Sequence, residues 1–358
     1  MSPKSDRTAR YREMRDFSKT PEPTGKTPAG QDRLRFVVQQ HDATRLHWDL
    51  RLEHDGALPS WALPRGLPWS PDENHLAVHT EDHPLEYLDF HGEIPEGEYG
   101  AGTMTVWDTG TYEPDKWTDT KVTITLHGER AEGKYALFQT RGRDWMIHRM
   151  DPPVDPERRP IPTDLRPMIP TPGRLPRKVD QFAFELSWPG KRALIVNEVG
   201  RTTILSAGGD DISAKFPEVR RIHRALGSTE AVLDSVIVGV RSGAPLPDRD
   251  HVDHRLSVKA DSTIRKLTST EPVAAMLVDL LWLDGHPQMD LPWEERRELL
   301  EDLDLEADAW QVPSAHRGDG AALLEAARDN GLPGLIAKKL DSKYRSGAES
   351  KDWREIAG

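Results

Sequence analysis

At 358 residues, with 36% hydrophobic and 30% charged side chains, the chain is globular and too long for one ordinary core, so two domains are expected. It has no cysteine, which excludes disulfides, thiolate zinc sites and cysteine nucleophiles and leaves His, Asp, Glu and water to hold any metal. The net charge of −12 argues against a protein that coats nucleic acid over its whole surface. No window approaches the roughly 20 apolar residues of a membrane span, and the start carries no signal-like apolar stretch, so a cytoplasmic, nucleoid-associated location without a membrane is expected.

Residues 1–32 are polar and rich in Pro, Lys and Thr, and read as a loose arm with a short helix around Arg10 to Phe17. Residues 1–35 hold nine Lys and Arg against five Asp and Glu, whereas Asp72 to Tyr99 holds nine acidic residues and four His with no Lys or Arg. A basic arm beside an acidic, His-rich segment fits a metal site approached by a phosphate-bearing strand, although a plain acidic surface accounts for the same run. From residue 33 to 150 short alternating runs (RFVVQQH, RLHWDLRLEH, SWALP, HLAVHTE, TMTVWD, KVTITLHG, KYALFQT, DWMIHRM) are separated by turn residues, which predicts an antiparallel β-barrel or sandwich. Residues 151–178 are proline-dense and read as a linker. From residue 179 to 358 the strand-like FAFEL, RALIVNEV and TTILSA, the helical FPEVRRIHRAL, PWEERRELLEDL and GAALLEAARDNG, and further strands predict an α+β domain.

The most informative stretch is Leu46 to Glu53. In a strand, alternation sends Leu46, Trp48, Leu50 and Leu52 to a core and leaves His47, Asp49, Arg51 and Glu53 on the other face, roughly 7 Å apart. His41 ends the preceding strand and reaches the same place across a short turn. Two imidazoles and a carboxylate, His41, His47 and Asp49, make an open metal site, and Arg51 adds a fixed cation shaped for phosphate. The same triad serves non-haem iron oxygenases, and a satisfied polar strand face is the bland alternative. The segment LAVHTEDHPLEY adds His79, Glu81, His83 and Tyr87. A His near a bound phosphate ligates an oxygen or donates a proton to a leaving group. Pro84 argues against one helix carrying His83 and Tyr87, which places them on a strand end or loop.

Together QQHDATRLHWDLRLEHDG, SWALPRG, LAVHTEDHPLEYLDFHGEIPEGEYGAGTMTVWDTG and RDFSKTPEP closely resemble the 3′-phosphoesterase domain of bacterial ligase D, a component of non-homologous end joining, over about residues 7 to 150. The resemblance implies a small β-barrel enzyme that uses manganese to remove a terminal 3′ ribonucleotide and then a 3′ phosphate from primer-template ends. By matching position His41, His47 and Asp49 resemble its metal ligands and Arg51 and His83 its phosphate-contacting pair, with His83 the preferred proton donor. Tyr87 matches a residue the family needs for activity, Arg15, Asp16 and Glu22 match supporting positions in the arm, and Glu81 a supporting acid. Arg65 and His75 stand where the family carries a Lys and a basic residue. Arg65 keeps a phosphate-binding charge, whereas His75 weakens phosphate or strand contacts.

The second half resembles the adenylation domain of ATP-dependent DNA ligases through DLRPMIPTP, FAFELSWPGKRALI, VLDSVIVGV, LVDLLWLDG and GLPGLIAKKLDSKYRSGAESKDW. The resemblance implies a Lys nucleophile and metal-binding carboxylates, yet Ser187 stands at the nucleophile, Pro189 at the following Asp, Val236 and Pro333 at two Glu positions, and Glu355 and Ala357 at the last lysines. Glu185, Gly190, Arg192, Asp234, Asp279, Lys338 and Lys339 are retained. Lys191 is a poor substitute for the nucleophile, since a shift of four residues along a strand moves an amine by about 13 Å. The expectation is a degenerate adenylation-like domain without the oligonucleotide-binding fold, serving as a docking module, with no role for ATP. An active ATP-dependent ligase and a non-catalytic end-binding scaffold are the alternatives. Ku, a polymerase or a ligase of end joining are the partners implied.

Overall fold

A computed structural model describes residues 6–24, 33–43, 45–153, 155–198, 201–240 and 249–358. The chain divides into two compact units, Met1–Pro156 and Glu157–Gly358.

In the first unit nine strands are β1 (Arg35–Asp42), β2 (Leu46–Leu52), β3 (Ser60–Leu63), β4 (Asn74–His79), β5 (Gly92–Ile94), β6 (Gly102–Thr118), β7 (Lys121–His127), β8 (Glu132–Arg141) and β9 (Asp144–Arg149). They pair antiparallel in the order β1-β2-β3-β4-β9-β8-β7-β6, and β6 closes on β1. The result is the expected antiparallel barrel, of eight strands, with β5 added beside β6. Closure removes sheet edges. β6 runs far past the predicted TMTVWD because it serves two partners, β1 along Thr103 to Thr111 and β7 from Thr111 onward. Trp48, Leu50 and Leu52 are buried as alternation predicts.

The polar face of β2 is buried as well, which sequence alone did not show: Asp49, Arg51 and Glu53 are all enclosed. The cover comes from the arm. Helix α1 (Ala9–Glu13) carries Tyr11, fully buried, whose ring lies 5.2 Å from that of His83 and 5.9 Å from that of Tyr87. Its hydroxyl donates to the Pro23 carbonyl at 2.7 Å. Residues 6–24 are therefore packed rather than loose, because one large aromatic and the buried Glu22 anchor an otherwise polar segment. The rest of the predicted arm, residues 1–5 and 25–32, lies outside the described residues.

In the second unit the strands are β10 (Ile169–Pro172), β11 (Phe182–Ser187), β12 (Lys191–Glu198), β13 (Arg201–Ser206), β14 (Ala231–Gly239), β15 (Val273–Leu283), β16 (His286–Pro287), β17 (Trp310–Gln311), β18 (His316–Arg317), β19 (Gly334–Lys339) and β20 (Glu349–Ala357). They form two sheets, β10-β20-β19-β11-β18 and β13-β12-β14-β15-β16, the latter with β17 beside β15. The helices are α2 (Pro217–Arg220), α3 (His223–Leu226), α4 (Arg249–Ser257), α5 (Asp261–Thr270), α6 (Trp293–Asp302) and α7 (Gly320–Asp329). This is the predicted α+β arrangement. The helical FPEVRRIHRAL is split into α2 and α3, although Phe216, Val219, Ile222 and Leu226 all stay buried.

The proline-dense passage 151–178 is not all linker. Leu165 and Met168 enter a core with Tyr344 and Trp353, and β10 pairs parallel with β20. A strand holding Pro170 and Pro172 is tolerated because it lies at the sheet edge, where a missing N–H costs no ladder bond, and for the same reason it shows no strand periodicity. Among the described residues no helix is long and apolar enough to cross a membrane.

If Tyr11 anchors the arm, Tyr11→Ala lowers the unfolding free energy of the first unit by about 3 kcal/mol, as for other large buried aromatics. Tyr11→Phe, which loses only the hydroxyl's bond to Pro23, costs about 1 kcal/mol. Urea unfolding measures both, and equal losses would contradict the packing role.

Candidate active site

The site is built on one hairpin. β1 and β2 pair with His41 opposite His47, Gln39 opposite Asp49 and Val37 opposite Arg51, so these six side chains share one face. The ligand atoms of His41, His47 and Asp49 lie within 4.8 Å of one another. His41 Nδ1 is 3.7 Å from Asp49 Oδ2, and His47 Nε2 is 3.7 Å from Asp49 Oδ1. The outer nitrogens are tied elsewhere: His41 Nε2 meets the Gly100 carbonyl and His47 Nδ1 the Arg45 carbonyl, each at 2.9 Å. A carbonyl only accepts, so each ring donates an outer N–H and directs its other nitrogen toward Asp49. Gly102 lets the start of β6 lie close against the end of β1, because a Cβ there would lie 2.4 Å from the Asp42 carbonyl oxygen.

Arg51 is enclosed and spends its donors on neighbours. Nε donates to Gln39 Oε1 at 2.7 Å, one terminal nitrogen to Ser60 Oγ at 3.0 Å and the other to Asp49 Oδ2 at 2.9 Å; the first of these also lies 2.9 Å from His83 Nδ1, which is itself 2.9 Å from the Glu81 carbonyl. Its guanidinium lies 4.6 Å from the Tyr87 ring centre. Burial alone would raise the Asp49 carboxyl, but Arg51, with help from His41 and His47, holds it far below the usual range and ionised.

Behind this pair stands a second buried group from the arm. Arg15 donates to Glu22 at 2.6 Å and to Glu81 at 3.2 Å, and Tyr87 Oη donates to Glu22 at 2.5 Å. Burial, outweighing the pull of Arg51, raises the Tyr87 phenol, so it stays a donor. His83 lies between the two cations, Nδ1 toward Arg51 and Nε2 3.4 Å from Arg15. Burial first, then Arg51 and Arg15, push its pKa well below the ordinary value, since an imidazolium would set an N–H against each guanidinium.

A cavity of about 290 Å³ is lined by Arg15, His41, His47, Asp49, Arg51, Glu81, His83 and Tyr87. His83 precedes a single-turn helix, Leu85–Asp89, that carries Tyr87, so Pro84 separates the two as its ring demands. Two predicted site residues are not brought in: Asp16 caps its own turn through Ser18 and Lys19, and Arg65 is exposed beside Glu73. Glu53, on the same strand face as Arg51, pairs with Arg35. His75 bonds to the Gly66 carbonyl, and His79 sits 5.1 Å from the Trp61 ring. Sequence reasoning missed Gln39, Ser60, Tyr11 and Gly100. Gln39 was findable, being opposite Asp49 on the same strand face.

The second unit has its own cavity, about 360 Å³, lined by Glu185, Ser187, Pro189, Arg192, Val236, Pro333, Lys338 and Glu355 among others. Five positions where the ligase pattern is broken thus meet in one place. Lys338 is buried and donates to Glu185 at 2.9 Å and to the Val278 carbonyl at 2.6 Å. Arg192 pairs with Asp234, which also accepts from Tyr344 at 2.7 Å, and Arg296 grips Asp279 through two bonds of 2.7 and 2.9 Å. Lys191 begins β12 and not the strand of Ser187, and pairs with Asp253 at 2.7 Å.

Residues 39–139 match the family described as the DNA ligase D 3′-phosphoesterase domain, and residues 173–356 match the ATP-dependent DNA ligase domain. The second match spans half of the chain, which therefore belongs to the ATP-dependent DNA ligase domain family and carries the ligase D 3′-phosphoesterase match ahead of it. It is 38% identical over 98% of its length to the multifunctional non-homologous end joining protein LigD of Mycolicibacterium smegmatis, covering 46% of that protein, and 40% identical to the Mycobacterium tuberculosis H37Rv protein, covering 45% of it. It is 32% identical over 99% of its length to the Pseudomonas aeruginosa protein, covering 47%. The chain spans about half the length of these curated relatives. The crystal structure of the ligase domain of M. tuberculosis LigD aligns with 30% identity and a TM-score of 0.45, covering 55% of this chain and 60% of that one. The phosphoesterase match contains His41, His47, Asp49, Arg51, Glu81, His83 and Tyr87, while Arg15 and Glu22 precede it.

The buried groups make the first unit acid-sensitive. Asp49 has a depressed folded value, so its contribution is present above about pH 4 and fades as pH falls. His83 is also depressed, so below about pH 6.5 the unfolded chain takes up its proton first and stability drops. Urea unfolding should therefore show wild type losing stability between pH 7 and 5 more steeply than His83→Gln, by up to about 1 kcal/mol per pH unit. Identical slopes would contradict a neutral buried imidazole.

Proposed function

We propose that the first unit is a divalent-metal-dependent phosphoesterase that trims 3′ ends of nucleic acid, removing a terminal ribonucleotide and a 3′ phosphate. The observation that carries this reading is the grouping of the inward-facing nitrogens of His41 and His47 with the ionised carboxylate of Asp49, each ring's outer N–H being held by a backbone carbonyl, with Arg51 alongside. This neutral-nitrogen and oxygen donor set fits a divalent ion such as manganese, and the absence of thiolate excludes a soft site. When bound, the ion supplies a Lewis acid for a phosphoryl oxygen and lowers the pKa of a coordinated water.

The chain's own groups do the rest. Arg51, which lines the cavity, offers its fixed charge to a phosphoryl oxygen. His83, neutral between two arginines, serves as a hydrogen-bonding contact to phosphate more readily than as the strong acid expected from its position. An arriving dianion would reverse that balance by neutralising Arg15 and Arg51. Tyr87 and Glu22 act as positioning residues, holding Arg51 and Arg15 in place.

The second unit is read as a ligase-type domain that no longer adenylates and docks DNA ends or an end-joining partner such as Ku, a polymerase or a ligase. Formation of a covalent adenylate needs a free amine at the reacting phosphate. Among the described residues Lys338 is the lysine of that cavity, and it is held by Glu185 and Val278. The names of the relatives support a place in non-homologous end joining.

Incubation with a primer-template bearing one 3′ ribonucleotide should shorten the primer with manganese and not with a chelator, and His47→Ala should lower the rate at least a hundredfold. Unchanged primer with every divalent metal would overturn the reading. Labelled ATP with magnesium should leave the protein unlabelled, and a stable protein-bound nucleotide would show the second unit to be an active ligase.

A further inference from the structure

The lining of the first unit's cavity is chemically mixed. Asp49, Arg51 and His83 are polar, whereas Ala43, Ile94 and Met104 are apolar and Tyr99 presents a ring. A phosphate alone needs only the polar groups, yet Tyr99, which lines this cavity, is 45% exposed. Exposed aromatic surface beside a site that takes phosphate is the feature that receives a nucleobase, whose face is apolar whatever its sequence.

Resting on the phosphoesterase reading above, we propose that Tyr99 is the platform on which the base of the terminal 3′ nucleoside stacks, so that the site recognises a whole nucleoside end and not merely a terminal phosphate. The ring is placed for this by its own loop. Gly97 and Gly100 take positive φ of 91° and 78° on either side of it, and the Gly100 carbonyl is the group that fixes the His41 tautomer. Base contact and metal-ligand orientation therefore lie on adjacent residues. The Arg15 guanidinium, 5.4 Å from the Tyr99 ring centre, adds positive charge near the incoming strand. Stacking of this kind is indifferent to base identity, which suits an enzyme that must accept any end.

The test compares wild type, Tyr99→Phe, Tyr99→Leu and Tyr99→Ala with manganese on two primer-templates, one ending in an ordinary nucleoside 3′-phosphate and one in an abasic 3′-phosphate. On the ordinary end KM should rise roughly 5- to 100-fold in Tyr99→Ala and Tyr99→Leu with little change in kcat, while Tyr99→Phe stays near wild type. On the abasic end the wild type should already show the raised KM, and the substitutions should add nothing. Equal KM for wild type and Tyr99→Ala on the ordinary end overturns the proposal while leaving the phosphoesterase reading intact. So does the same loss on both ends, which marks Tyr99 as a mere support for its loop. Wild type inactive on both ends with every divalent metal overturns the underlying reading, and the proposal with it.

Discussion

A carboxylate and a guanidinium buried two residues apart on one strand face organise the first unit. Asp49 is enclosed and ionised because Arg51 lies 2.9 Å away, and Arg51 is tolerated in the interior because Asp49, Gln39, Ser60, His83 and the Tyr87 ring meet it from all sides. Neither charge would be stable alone, since removing one partner of such a pair costs about 3 to 5 kcal/mol by stranding the other. The hairpin register fixes the pair, the barrel fixes the hairpin, and the arm closes over both. Asp49 thereby faces the inner nitrogens of His41 and His47, with the three ligand atoms within 4.8 Å of one another.

The arm illustrates how far side-chain chemistry reaches beyond secondary structure. Arg15 and Glu22 come from a segment with five helical residues, yet their charges are buried against Tyr87, Glu81 and His83. Burial, with a guanidinium on either side, pushes the His83 pKa well down, so the site holds positive charge in the two arginines and spares the imidazole for hydrogen bonding. A substrate phosphate would enter a region already arranged to receive negative charge, with little reorganisation.

Much of this was legible in the sequence. Period-two alternation in LHWDLRL placed His47, Asp49 and Arg51 on one face, and the apolar Trp48, Leu50 and Leu52 on the other, as the structure has them. What alternation does not carry is the third dimension. Nothing in the local pattern says that the polar face would be roofed, because the roof comes from Tyr11, Arg15 and Glu22, dozens of residues away. Gln39 and Ser60 were passed over for the same reason: neutral groups reveal a role only when the charge they satisfy is seen beside them. Asp16 and Arg65 misled in the opposite direction, since their neighbours in sequence supplied nearer partners, Ser18 and Glu73, than the site did. In the second unit the broken positions were visible one by one, and the fold added that Ser187, Pro189, Val236, Pro333 and Glu355 surround a single cavity.

The central claim is that His41, His47 and Asp49 together hold one divalent ion. Titration of the protein with Mn²⁺, followed by the electron paramagnetic resonance signal of free manganese, tests it without reference to any reaction. One tight site per chain is expected, lost in His47→Ala and in Asp49→Asn, while Ser187→Ala binds as wild type does. Undiminished binding in both of the first two variants, or none in the wild type, would contradict it.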